Sequence, residues 1–228
     1  MRQILFVFCA LSLSSYAQDR SEIWLGAGAK REVSKDLILG VQSNVRIQTS
    51  GNVQTLFQEI GIKSEHLKWF RPSIDYRFIT SYALNGNTTY SNRFNFNADF
   101  RQKVKEVKLG LRMRYQVVIG GGGSSGTDLD PAFRIKPYVE YAIPKTRFTP
   151  EFSTEFFYNP VYGPFGRQFN RVRFGLGTTI DLPGPHTLAF TYYYGRKFAT
   201  KIPYNEHLFS LEYSFEWRKA KADKKVSE

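Results

Sequence analysis

An all-β fold, a single antiparallel up-and-down transmembrane β-barrel of 10–12 strands, is what this sequence predicts, on three observations. Apolar and polar residues alternate with period two through nearly the whole chain. The alternating segments run to about 9–13 residues, beyond the ~5–6 usual in soluble sheets. Their connections switch between short and long, as periplasmic turns and external loops do in outer-membrane barrels.

Composition narrows the class. Of the 228 residues, 16% are aromatic and 23% charged, and the mean hydropathy is −0.38. No apolar run reaches the ~18 residues of a membrane helix, and the aromatic content is too high for disorder. The length suits one domain. A formal charge of +12 invites a nucleic-acid partner, but export and the scatter of the charges argue against one.

Residues 1–17 read as a signal peptide. Met1-Arg2-Gln3 is a positive start, Ile4 to Leu13 an apolar stretch, and Ser15-Tyr16-Ala17 a small-x-small site before Gln18. Residues 18–217 form the barrel domain and 218–228 a basic tail. Cys9 leaves with the leader, so disulfides and thiolate metal sites are excluded from the mature chain.

The strands follow in order. Ile23 to Lys30 is a Gly/Ala-rich first candidate. Leu37 to Gln48 sets Leu37, Leu39, Val41, Val45 and Ile47 against Gln42, Asn44, Arg46 and Gln48. Leu56 to Glu65 and Ser73 to Tyr82 are weaker copies. The clearest alternation is Asn92 to Lys103, with Phe94, Phe96, Ala98 and Phe100 opposite Arg93, Asn95, Asn97, Asp99 and Arg101. Val107 to Val117 repeats it, with Lys108, Arg112 and Arg114 on the polar face. Phe133 to Ala142, Phe148 to Tyr158, Phe169 to Asp181, Thr187 to Lys197 and Glu206 to Trp217 complete eleven segments. Bacterial single-chain barrels keep both termini periplasmic, which demands an even count. A short strand near Gln18 to Glu22 would make twelve, the preferred number; removing Trp24 to Gly28 would leave ten.

Alternation does not say which face points outward. A lipocalin-like barrel would bury the apolar face. Export, strand length, sorted connections and aromatics near strand ends favour a lipid-facing one. Those aromatics are Trp69, Phe70, Tyr82, Tyr115, Tyr158, Phe215 and Trp217, and the closing Tyr213, Phe215 and Trp217 resemble an outer-membrane assembly signal followed by an extra tail.

Asp130-Pro131-Ala132-Phe133-Arg134, Pro150-Glu151-Phe152 with Glu155-Phe156-Phe157, and Asn170 through Gly175 resemble the exported family catalogued as domain of unknown function 2490. Asp75-Tyr76-Arg77-Phe78, Asn92-Arg93 and Leu111 to Tyr115 share the likeness. The resemblance implies an outer-membrane barrel of a diderm bacterium and carries no catalytic residue.

With lipid outside, the candidate anion-binding residues of the lumen are Arg46, Arg77, Arg93, Arg101, Arg112, Arg114, Arg134, Lys136, Arg171 and Arg173. Fewer acids share that face: Glu59, Asp75, Asp99, Glu140, Glu151, Glu155 and Glu212. Such a lumen favours small anionic solutes as a narrow channel or binding barrel. A closed structural barrel with a salt-bridged interior is the alternative. A lipid-modifying or proteolytic enzyme is the second. Of the three histidines, His66 and His186 fall in turns, and His207 has opposite parity to Ser210. No nucleophile-base pair forms locally, so no enzyme, metal or cofactor is expected. The Gly120 to Gly123 run reads as a flexible loop. The expected partners are the bilayer and small anions, with the chain a monomer.

Overall fold

The computed structural model describes residues 18–120, 129–161, 166–199 and 203–217. Residues 1–17, expected to be a signal peptide, and the basic tail lie outside them, as does most of the glycine run. Eleven strands fill the described chain: β1 (Gln18–Ser34), β2 (Leu37–Gln48), β3 (Val53–Ser64), β4 (Phe70–Tyr82), β5 (Thr88–Val104), β6 (Val107–Gly120), β7 (Leu129–Tyr141), β8 (Phe148–Asn159), β9 (Gln168–Asp181), β10 (His186–Lys197) and β11 (Tyr204–Trp217). Among the described residues no helix is long and apolar enough to cross a membrane.

Each strand pairs antiparallel with its chain neighbour, and the sheet closes where β1 meets β11 in parallel. The count is therefore eleven, not the preferred twelve. Gln18 to Glu22 is no separate strand. It runs directly into Trp24 to Gly28 as the start of β1, paired with Tyr204 to Leu208 of β11. From Glu22 onward the same strand also pairs with β2. The even-count rule assumes antiparallel closure. A meander with an odd number of strands has its first and last strands running the same way, so only a parallel ladder can close it, at slightly lower stability per residue.

Odd count also separates the ends of the chain. Residues 35–36, 65–69, 105–106, 142–147 and 182–185 connect strands at what we call the turn end. Residues 49–52, 83–87, 121–128, 160–167 and 198–203 do so at the loop end. The chain enters β1 at the loop end and leaves β11 at the turn end. Sorting by length is weaker than the sequence predicts. The strands extend further than the alternation does: β3 begins at Val53 rather than Leu56 and β5 at Thr88 rather than Asn92. Residues 49–52 and 83–87 are consequently no longer than some turn-end connections.

Successive side chains alternate between the two faces of the wall. The outward set is predominantly apolar, with isolated polar residues such as Gln58 and Asn92. Ile60, Ile62, Ile74, Phe96, Leu109, Met113, Leu176 and Phe190 are all exposed. The inward set is polar, and its buried members include Asn44, Asn95, Asn97, Asp99, Ser153, Glu155, Arg173, Glu206 and Ser210. Aromatic clusters sit near both rims of the outer surface. Trp69, Phe70 and Phe100 pack together at the turn end. Phe78 stacks on Tyr90, and Tyr158 meets Phe169, at the loop end.

The interior is tight enough that glycine positions matter. Gly110 on β6 lies under the Tyr138 ring of β7, where a Cβ would overlap the ring. The ring cannot swing away freely, because the Tyr138 hydroxyl donates to Asp99 Oδ1 at 3.0 Å. Gly110→Ala should lower the urea midpoint, by an overpacking cost of about 1–3 kcal/mol. In a Tyr138→Ala background the same change should be nearly neutral. Equal costs in both backgrounds would show that the ring contact is not the cause.

Candidate functional site

Closing a sheet whose polar faces point inward forces guanidinium and carboxylate groups from opposite walls into one narrow space. Their long side chains meet across strands, and the middle of the barrel becomes an ion-paired layer. Arg77 Nε donates to Glu59 Oε2 at 2.7 Å. Arg134 donates from Nε and Nη2 to the two oxygens of Glu155, at 3.0 and 2.8 Å. Glu155 also receives Arg112 at 3.6 Å and Arg173 at 3.8 Å, so three strands converge on one carboxylate. Arg114 donates to Asn97 Oδ1 at 2.5 Å and lies 3.7 Å from Asp75. Arg171 and Arg173 each reach Glu206 at 3.4 Å.

Above this layer, toward the loop end, is a cavity of about 690 Å³. Its mouth is marked by Gln54, Ala83, Asn159, Lys197 and Tyr204, which sit at strand ends or in a loop-end connection. Nine cationic side chains line it: Arg20, Arg46, Arg77, Arg93, Arg114, Arg134, Arg171, Arg173 and Lys197. Three carboxylates do: Glu22, Glu206 and Glu212. The volume falls within the ~300–1,000 Å³ of small-molecule sites. A second cavity of about 330 Å³ lies toward the turn end, with Lys30, Lys63, Glu59, Asp75 and Glu212 in its wall. Glu212 is the one lining residue the two share.

Seven of the ten candidate residues thus meet in the larger cavity: Arg46, Arg77, Arg93, Arg114, Arg134, Arg171 and Arg173. The other three do not line it. Arg101 pairs with Asp99 below the layer. Lys136 is held by Glu151 at 2.7 Å. Arg112 contributes only through Glu155. Shared parity put them on the inner face, but height along the axis separates them from the mouth.

Sequence reasoning missed Arg20 and Lys197, and also a set of inward aromatics. The Arg46 guanidinium lies 4.2 Å from the Trp24 ring centroid and 5.2 Å from that of Phe57. Arg77 stacks on the other side of the cluster, 3.8 Å from Phe57. Phe157 receives Arg134, Arg171 and Arg173. Arg20 covers Tyr204 at 3.9 Å. A ring face is a favourable neighbour for a guanidinium stripped of water. The available signal was an aromatic at polar-face parity, as Phe57 is between Thr55 and Glu59.

The histidines stand apart. His207 is on the outer face, its Nδ1 2.8 Å from the Tyr192 hydroxyl and its ring beside Tyr194. Ser210 points inward and is buried. His186 contacts the Tyr213 hydroxyl at 2.6 Å at the turn end, and His66 contacts Asp36 at 3.1 Å.

Glu155→Gln would leave Arg112, Arg134 and Arg173 facing one another without their shared carboxylate. The expected loss is about 3–5 kcal/mol, read from urea unfolding followed by circular dichroism. Adding Arg134→Met should recover part of it. If the two substitutions were simply additive, the ion-paired layer would not act as a unit.

The family model described as protein of unknown function (DUF2490) matches residues 21–221. No curated protein matches the chain.

Proposed function

The chain belongs to the DUF2490 family of proteins of unknown function, and we propose that it is an outer-membrane β-barrel that binds small anionic solutes from its loop end. One observation carries the binding role: nine cationic side chains against three carboxylates around one cavity. Low-dielectric walls concentrate that field and draw anions to the mouth. Guanidinium groups then hold oxyanions with paired, directional hydrogen bonds.

The ion-paired layer favours binding over free passage. The cavities on its two sides share only Glu212 among the described residues, and Glu155 ties Arg112, Arg134 and Arg173 together between them. A closed structural barrel is the second reading, favoured by the same layer. It differs in expecting no ligand. The proposed role is not enzymatic, since His207 and Ser210 are on opposite faces of β11 and the outward His207 contacts Tyr192.

The membrane setting rests on the outer surface. Strands of 12–17 residues exceed the ~9–11 needed to span a bilayer. Their outward side chains are apolar, and aromatic clusters flank them at both rims, at the height of lipid headgroups. The leader read from the sequence supplies export, with cleavage near Ala17-Gln18 and the turn end in the periplasm.

Three outcomes are expected. First, the protein should require detergent for extraction from the outer-membrane fraction; a monomer in the aqueous fraction would sink the membrane reading. Second, because the strand count is odd, a tag inserted after Gln18 should be accessible on intact cells while one after Trp217 is protected. Tags on the same side would contradict the topology. Third, calorimetry on the purified protein in detergent should detect saturable binding of at least one small anion, whereas planar bilayers should show no steady conductance. Steady anion-selective current would replace the binding role with a channel, and absence of any binding would leave the structural barrel.

A further inference from the structure

We infer that the cavity is a site for a phosphoryl group, with Arg46 as its principal ligand. This inference deepens the proposed anion-binding role and rests on it.

Arg46 differs from the five cavity-lining arginines of the ion-paired layer. Arg77, Arg114, Arg134, Arg171 and Arg173 all reach a carboxylate within 4.0 Å. Arg46 has no such partner among the described residues. Its guanidinium is instead set against the faces of Trp24 and Phe57. Its Nε, like that of Arg173, is buried and has no hydrogen-bond partner among the described residues. Glu22 is the opposite charge that acts on Arg46, but without an ion pair within 4.0 Å, and its Oε2 accepts the Trp24 Nε1 hydrogen at 2.7 Å. Stacking satisfies the face of a guanidinium but leaves its N–H edge unspent, and a buried donor without an acceptor is costly. Arg46 lines the cavity, so an anion there would meet it without a competing carboxylate.

The surroundings define the class of acceptor. Arg77, Arg93 and Arg173 are the like charges that act on Arg46, and they come from β4, β5 and β9. All three line the same cavity. Four cations from four strands therefore surround one space from different directions. A carboxylate is planar, carries one charge and suits a single fork. A phosphoryl group is tetrahedral, carries up to two charges and accepts from several sides at once. The second shape and charge match the arrangement. Trp24 on β1 and Phe57 on β3 flank Arg46 from the two neighbouring strands, which restricts its side chain before any ligand arrives and lowers the ordering cost of binding.

The phosphoryl group has two sources, a soluble phosphate or phosphate ester and a phospholipid headgroup. The test uses full-length protein in a zwitterionic detergent, with inorganic phosphate, glycerol phosphate, short-chain phosphatidic acid and acetate as probes, read by calorimetry. At least one phosphate-bearing probe should saturate, more tightly than acetate. Arg46→Gln should weaken it about 10- to 100-fold, the loss expected for a charge-assisted pair. Arg46→Lys should fall between the two, since it keeps the charge and loses the fork. Lys68→Gln, the same charge change at an exposed turn-end residue, should leave affinity unaltered. Circular dichroism and urea midpoints establish that each variant is folded, and Trp24 fluorescence, assigned with Trp24→Phe, reports binding independently of heat.

Saturation by inorganic phosphate or glycerol phosphate identifies a soluble ligand; saturation by phosphatidic acid alone identifies a headgroup. Binding of acetate without preference for phosphate overturns the phosphoryl site and leaves the anion-binding role standing. Phosphate binding indifferent to both Arg46 variants overturns the assignment of Arg46. No binding of any probe removes both readings.

Discussion

Sheet closure is the constraint on which the rest of the structure depends. Every strand needs a partner on each side, because an open edge leaves a row of backbone donors and acceptors unpaired. Ten of the eleven joints are antiparallel hairpins. The eleventh, between β1 and β11, joins residues at the two ends of the described chain, and an odd count makes it parallel. That joint fixes the circumference. It also places the start of β1 and the end of β11 at opposite rims.

Once the cylinder is closed, the alternation of each strand becomes a radial sorting. Apolar side chains must go out or in together, and here they go out. The interior then has to be built from groups that are expensive to bury. Ion pairs such as Arg77 with Glu59 and Arg134 with Glu155 make that possible, but they do so at heavy desolvation cost. A fully neutralised interior would be a substitute core. Near the loop end neutralisation is incomplete, and aromatic faces stand beside Arg46 and Arg20. The cavity occurs where cations outnumber acids.

Much of the candidate site was readable as parity. Arg93, Arg114 and Arg134 lie on faces whose opposite neighbours are Phe94, Tyr115 and Phe133, so their common inward direction followed from period two alone. Height was not readable. Arg101 and Arg112 share that direction, yet Arg101 belongs to the turn-end half and Arg112 reaches only Glu155. Parity could place Phe57 on the inner face, but it could not show that Trp24 and Phe57 meet at Arg46. Each lies on a different strand, and their meeting depends on the register of β1, β2 and β3.

The chain by itself determined the strands, their approximate limits, their two faces and the family to which they belong, because all of these are local or patterned along the backbone. The tertiary structure alone decided the parallel closure and the pairing of each arginine. Those depend on which residues meet across a distance of up to 186 positions, as Asn205 and Asp19 do at the seam. A period of two has the same form in a strand that faces lipid and in one that faces a core. The closed cylinder gives every strand an inside and an outside, and here the polar face takes the inside.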